Sequence, residues 1–155
     1  TAAVELTLVE EAQARGEVRD DGRRLVRGGI EGGRRTRLVV VLGHSSCGAI
    51  KAASGDYSTL EAPIKKELDT INITKGGANI DGVKANVNNQ VAAAMKEFAE
   101  KVKHNELLVV GAVYDFADDM KQGAGNLNII NINGETDPAK MSRAPAAKTE
   151  SGGNH

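Results

Sequence analysis

Cysteine occurs once in this chain, at Cys47; tryptophan is absent, and tyrosine and phenylalanine occur twice each. One thiol excludes an intrachain disulfide framework and makes a reducing, cytoplasmic compartment the expectation. Aromatics make up only 3% of the residues, so the core is expected to be aliphatic. No apolar run approaches the roughly 20 residues of a membrane span, so no membrane partner is expected. A formal net charge of −1 removes the electrostatic case for nucleic acid or an anionic lipid surface. The opening TAAVELTLVEE is acidic, unlike the basic-then-apolar start of a secretory signal. What remains is a chain of 155 residues, long enough for one soluble domain with a sizeable core.

Lysine is missing from the first 37 residues, and arginine nearly so from the rest. Arg15, Arg19, Arg23, Arg24, Arg27, Arg34, Arg35 and Arg37 precede residue 38; all eleven lysines follow it, accompanied by Arg143 alone. The two cations differ in hydrogen-bonding geometry, but no folded face demands so sharp a switch between them. Two readings stand: a solvated Arg-rich arm of chance composition, or a segment of separate origin such as a fusion or a shifted reading frame. The chain accordingly divides into an atypical Arg/Gly-rich segment (1–37), a core (38–133) and a Pro-, Ala- and Lys-rich tail (134–155), expected to be mostly disordered.

Hydrophobic periodicity places the elements. Val4, Leu8 and Ala12 recur every four residues and predict a helix over 1–14. The uninterrupted apolar run Leu38–Leu42, bounded by Gly43, predicts a central strand covered on both faces. A short helix over Cys47–Ala53 follows. Ser58 and Glu61 have capping-box spacing ahead of Leu60, Ile64, Leu68 and Ile71, which predicts an amphipathic helix. Lys75–Gly82 reads as loop, with Asp81 capping the next helix. Val87, Val91, Ala94, Met95, Phe98 and Val102 line one face of that helix, and Glu97 pairs with Lys101 on the other. LLVVGAV at 107–113 predicts a second buried strand, where Gly111 admits a close neighbour. LNIINI at 127–132 suits a sheet edge. The order strand, helix, helix, strand, strand predicts an α/β fold with a mostly parallel sheet flanked by helices.

The chemistry concentrates in Gly43-His44-Ser45-Ser46-Cys47-Gly48, which follows the first buried strand. Open α/β sheets keep their sites at the carboxyl ends of strands. A thiolate and an imidazole are both zinc ligands, and a helix N-terminus after Cys47 favours the thiolate. Gly43 and Gly48 are expected to let the backbone turn tightly around the pair. Taken alone, an H-x-x-C pair is usually incidental. The other chemical reading is a Cys47 nucleophile activated by His44, which needs an orienting carboxylate and an oxyanion pocket that the sequence does not identify. His104, among lysines and glutamates, is expected to be solvated, and His155 falls in the tail.

With its neighbours, this block resembles a known family. GHSSCGAIKAA at 43–53 resembles the second zinc motif of the β-class carbonic anhydrases. ANVNNQV at 85–91 resembles the start of that family's helix, LLVVGAVYD at 107–115 its next core strand with the following Tyr-Asp, and 127–132 its edge strand. The resemblance implies a zinc-dependent lyase interconverting CO2 and bicarbonate. It implies zinc held by two cysteines and one histidine, and assembly as a homodimer or higher homo-oligomer. Carried over residue by residue, it makes His44 and Cys47 zinc ligands.

The family's first motif, C-x-D-x-R, has no counterpart. Asp21 and Arg23 keep the D-x-R spacing, but Arg19 occupies the cysteine's place and the interval to His44 is too short. The missing ligand thus falls within the segment of foreign composition. The expectation is a β-carbonic anhydrase impaired by the loss of one cysteine and of the Asp–Arg pair. The alternative is a non-catalytic module of the same fold, kept for oligomerisation or ligand binding. A hydrolase acting on a CO2 analogue such as carbonyl sulfide would use the same ligands.

Overall fold

A computed structural model of the chain describes residues 3–8 and 36–142. In chain order its elements are β1 (Ala3–Leu8), β2 (Thr36–His44), α1 (Gly48–Ser54), α2 (Ala62–Leu68), α3 (Asn79–Glu97), α4 (Ala99–Lys103), β3 (Leu108–Asp115), β4 (Asn126–Ile132) and α5 (Pro138–Met141). The strands form one mixed sheet in the order β1-β2-β3-β4. β1 and β3 both run parallel to β2, and β4 closes the described sheet antiparallel to β3. The expected α/β class, the central strand and the edge strand are all present, and the antiparallel direction of β4 is added by the structure.

β1 corrects the helix expected over 1–14. AVELTL also alternates apolar and polar residues at period two, and Val4 through Leu8 register on Leu38 through Leu42. A four-residue spacing and a two-residue spacing share every second position, so the pattern alone did not separate them. The parallel partner, from Val4 paired with Leu38 to Leu8 paired with Leu42, selects the strand. Residues 9–14, and 15–35 with their Asp21 and Arg23, lie outside the described residues.

The core lies between the sheet and α3. Val83, Val87 and Val91 are buried on α3, against Val39 and Val41 of β2 and Val109 and Val113 of β3. Two glycines set this contact. A Cβ at Gly43 would lie 2.7 Å from Val87 Cγ2 and 2.9 Å from Val83 Cγ1. One at Gly111 would lie 2.8 Å from Val87 Cγ1 and 2.9 Å from Val91 Cγ2. The close neighbour expected at Gly111 is therefore the helix. On the other face of β2, Leu38, Val40 and Leu42 stay half-buried, so among the described residues the cover is complete only on the α3 side.

Other boundaries moved for local reasons. The Ser58 amide donates to Asp56 Oδ1 at 2.9 Å, and the helix starts instead at Ala62, with Glu61 at the N-cap and Pro63 pre-set for its first turn. α3 begins at Asn79 rather than after Asp81, so ANVNNQV lies mid-helix. At Phe98 the backbone leaves helical geometry (φ −113°, ψ 32°) while the ring is buried, which splits α3 from α4. Beyond that break Lys101 pairs with Glu106 at 3.5 Å. Residues 134–142, expected to be mostly disordered, carry a left-handed turn at Gly134 and α5, whose first amides Asp137 caps through Ala139 at 3.0 Å.

Candidate metal centre

β2 delivers His44 to the carboxyl edge of the sheet, in register with Tyr114 of β3. Ser45 extends the ladder by one bond, its amide donating to the Tyr114 carbonyl at 3.0 Å. The turn that follows is made by Ser46, at φ 55°. This corrects the role expected of the flanking glycines: neither Gly43 nor Gly48 has a positive φ. Gly43 instead admits α3, and a Cβ at Gly48 would meet nothing within 4 Å. Serine tolerates the left-handed region at a modest cost that the surrounding bonds offset. Cys47 then caps α1 in extended conformation and is buried.

The His44 imidazole is half-buried and stacks on Phe116, ring centroids 6.3 Å apart. Its Nδ1 lies 2.8 Å from the Ser45 carbonyl oxygen. A carbonyl oxygen only accepts, so Nδ1 donates this bond, and in the neutral ring the remaining acceptor nitrogen is Nε2. That is the tautomer an Nε2 metal ligand requires. The group facing Nδ1 is a main-chain carbonyl and not a carboxylate, so this nitrogen gives no support to a base-activated Cys47 nucleophile.

Three polar residues hold the loop, and none was singled out from the sequence for this role. Asn79, the first residue of α3, brackets Cys47: Oδ1 accepts from the Cys47 amide and Nδ2 donates to the Cys47 carbonyl, each at 3.0 Å. The Ser45 hydroxyl accepts from the Phe116 and Ala117 amides at 3.1 and 3.3 Å. Asp115, fully buried, accepts from the Asp119 and Met120 amides at 3.0 and 2.7 Å and from the Ser45 hydroxyl. Desolvation works to raise the Asp115 carboxyl, yet the donors from Met120, Asp119, Ser45 and Ala117 outweigh it and hold its pKa below the ordinary aspartate value. The nearest sequence signals were Tyr114-Asp115 in the family resemblance and the serine inside H-x-x-C.

The donor set does not complete a zinc site. Protein zinc sites take three or four protein ligands. Among the described residues no group of three or more His, Cys, Asp and Glu side chains is placed to hold a metal ion. His44 and Cys47 lie three positions apart at one strand end. Asp115 is engaged by loop amides, and His104 is exposed at the end of α4. His155 lies outside the described residues, and the chain has no second cysteine.

The carbonic anhydrase family model matches residues 33–121. No curated protein matches. Among solved structures, the β-carbonic anhydrase CafD of Aspergillus fumigatus is 26% identical, covering 63% of this chain and 61% of its own, with a TM-score of 0.47. A cysteine-to-alanine variant of CafD gives a TM-score of 0.51 at 23% identity, covering 72% of this chain and 66% of its own. A structure described among two tetrameric β-carbonic anhydrases from Sordaria macrospora gives 0.56 at 19% identity, covering 72% and 61%. The chain spans less than two thirds of the length of these proteins.

Proposed function

The chain belongs to the carbonic anhydrase family, in its β class, and from that membership we propose that it contributes to reversible hydration of CO2 to bicarbonate. His44 and Cys47 are its share of the zinc ligands. The observation that carries this reading is the Nδ1 bond of His44 to the Ser45 carbonyl, which in the neutral ring makes Nε2 the ligating nitrogen, with the buried Cys47 three residues on in the same loop. The chain's own residues present the imidazole, fix its tautomer and hold Cys47 at the head of α1.

A zinc ion in such a site supplies hydroxide near neutral pH. The donors here are too few for that set, so we assign no step to the metal and expect this chain to bind zinc weakly and hydrate CO2 poorly. Homo-oligomeric assembly and a cytoplasmic location belong to the same proposal. The family supports the first, and the single cysteine is the ground for the second. The absent C-x-D-x-R motif falls in the Arg-rich segment ahead of Leu38, for which a separate origin and a solvated arm of chance composition both stand.

The lone cysteine also supports a second reading, a metal-free module of the same fold. Zinc stoichiometry by elemental analysis, with CO2 hydration followed by stopped-flow indicator, separates the two. Substoichiometric zinc with weak hydration fits the first reading, and no zinc with no hydration fits the second. Tight stoichiometric zinc with full activity contradicts the proposed impairment.

A further inference from the structure

The geometry points to Ser45 and Asp115 as a positioning pair that fixes the direction and tautomer of the His44 imidazole. This rests on the reading of His44 as a metal ligand, but its main test does not.

Ser45 is joined to its surroundings at every polar atom. Its amide donates to Tyr114, and its carbonyl accepts from His44 Nδ1. Its hydroxyl accepts from the Phe116 and Ala117 amides and donates to Asp115. Asp115 is tied in turn to the Asp119 and Met120 amides. Both side chains are fully buried, so the network is satisfied internally. With its amide and hydroxyl both pinned to the end of β3, the Ser45 residue cannot swing, and its carbonyl keeps one direction. That carbonyl is the acceptor that decides which ring nitrogen of His44 holds the proton. The same hydroxyl anchors the Phe116 amide, and the Phe116 ring stacks on the imidazole. Two restraints on His44, one polar and one apolar, thus converge on a single serine hydroxyl and the carboxylate behind it. Outer partners of this kind, when removed, weaken metal affinity about 10–100-fold.

The test is nitrogen-15 NMR of the His44 imidazole in metal-free protein, at a pH where the ring is neutral. The unaltered chain should show the Nδ1–H tautomer. Ser45→Ala and Asp115→Asn should give mixed tautomers, and Ser45→Thr, which keeps the hydroxyl, should recover the parent spectrum. Co2+ titration, read by thiolate and ligand-field absorption, should weaken about 10–100-fold in the first two variants. A role confined to stability would lower the melting temperature of those variants and leave the tautomer unchanged, which overturns the proposal. So does an Nε2–H tautomer in the unaltered protein, a measurement that needs no variant to fold. If the unaltered chain binds no Co2+ while the tautomers shift as stated, the pair stands and the metal-ligand reading of His44 fails.

Discussion

Asn79 and Cys47, 32 residues apart, are joined by two reciprocal hydrogen bonds of 3.0 Å between the amide side chain of one and the main chain of the other. The asparagine acts as a short stand-in for a strand neighbour. It ties the start of the longest helix to the loop that presents the candidate thiol. Asn79→Ala removes both bonds and leaves the partly buried Cys47 amide to find water, while the Cys47 carbonyl keeps its bond from the Lys51 amide at 3.0 Å. Urea unfolding should show a loss of about 1–3 kcal/mol. Alkylation of Cys47, slow in the parent because the thiol is buried, should accelerate. An unchanged alkylation rate would show that Asn79 does not hold this loop.

Gly43→Ala should destabilise by about 1–3 kcal/mol, because the new methyl overlaps two valines of α3. Val87→Ala in the same chain should recover part of that loss, since Val87 is the nearer of the two. The double-mutant cycle should therefore show coupling of about 0.5–3 kcal/mol. Additive losses would place the strain elsewhere.

Asp115 gives the acid limb of the stability curve a definite sign. Its folded pKa lies below the unfolded value of about 3.9, so ionisation favours the fold above that pH. This contribution is lost as pH falls through the depressed folded value. Asp115→Asn should be less stable than the parent at neutral pH, with the gap narrowing as the pH drops below about 4. Denaturant midpoints measured across that range check it; a gap that stays constant would mean the charge is not what stabilises.

Zinc should add little to stability. At a zinc concentration equal to Kd the linkage contribution is about 0.4 kcal/mol. Thermal melts with and without chelator should nearly coincide, and His44→Ala should abolish even that small difference. A large upward shift with zinc would reveal ligands beyond His44 and Cys47.

The arginine-rich segment makes a prediction about the gene. If residues 1–37 come from another reading frame, translating the coding DNA in all frames should recover a C-x-D-x-R motif upstream of the codons for Leu38–His44. One native frame running unbroken across Arg37, with an intact mass to match, would sink that reading.

Much of the frame was legible before any coordinates. Leu38–Leu42 and Leu107–Val113 are too short for helices and too uniformly apolar for an exposed face, so they announced two core strands. The asparagines within 127–132 marked the edge, although the segment alternates poorly. The Ser58 capping box failed because Asp56 offers the Ser58 amide a closer acceptor, and β1 failed because its partner is distant in sequence. At the site, residue chemistry was legible for His44 and Cys47. The positions of Ser45, Asn79 and Asp115 were not, because a buried serine and an exposed one are the same letter. Their roles arise only where β2, β3 and α3 meet. The turn at Ser46 was hidden for a related reason: glycine was the expected source of a left-handed residue, and serine supplied it under the constraint of its neighbours.

The two bare glycines under α3 act as a height gauge for the site. His44 rides on β2, while Cys47 is suspended from α3 through Asn79. The vertical offset between the two candidate ligands is therefore inherited from the thickness of the helix–sheet layer, which Gly43 and Gly111 set at its thinnest. A methyl group added deep in that layer would be registered at the sheet edge as a change in ligand separation, with neither ligand touched.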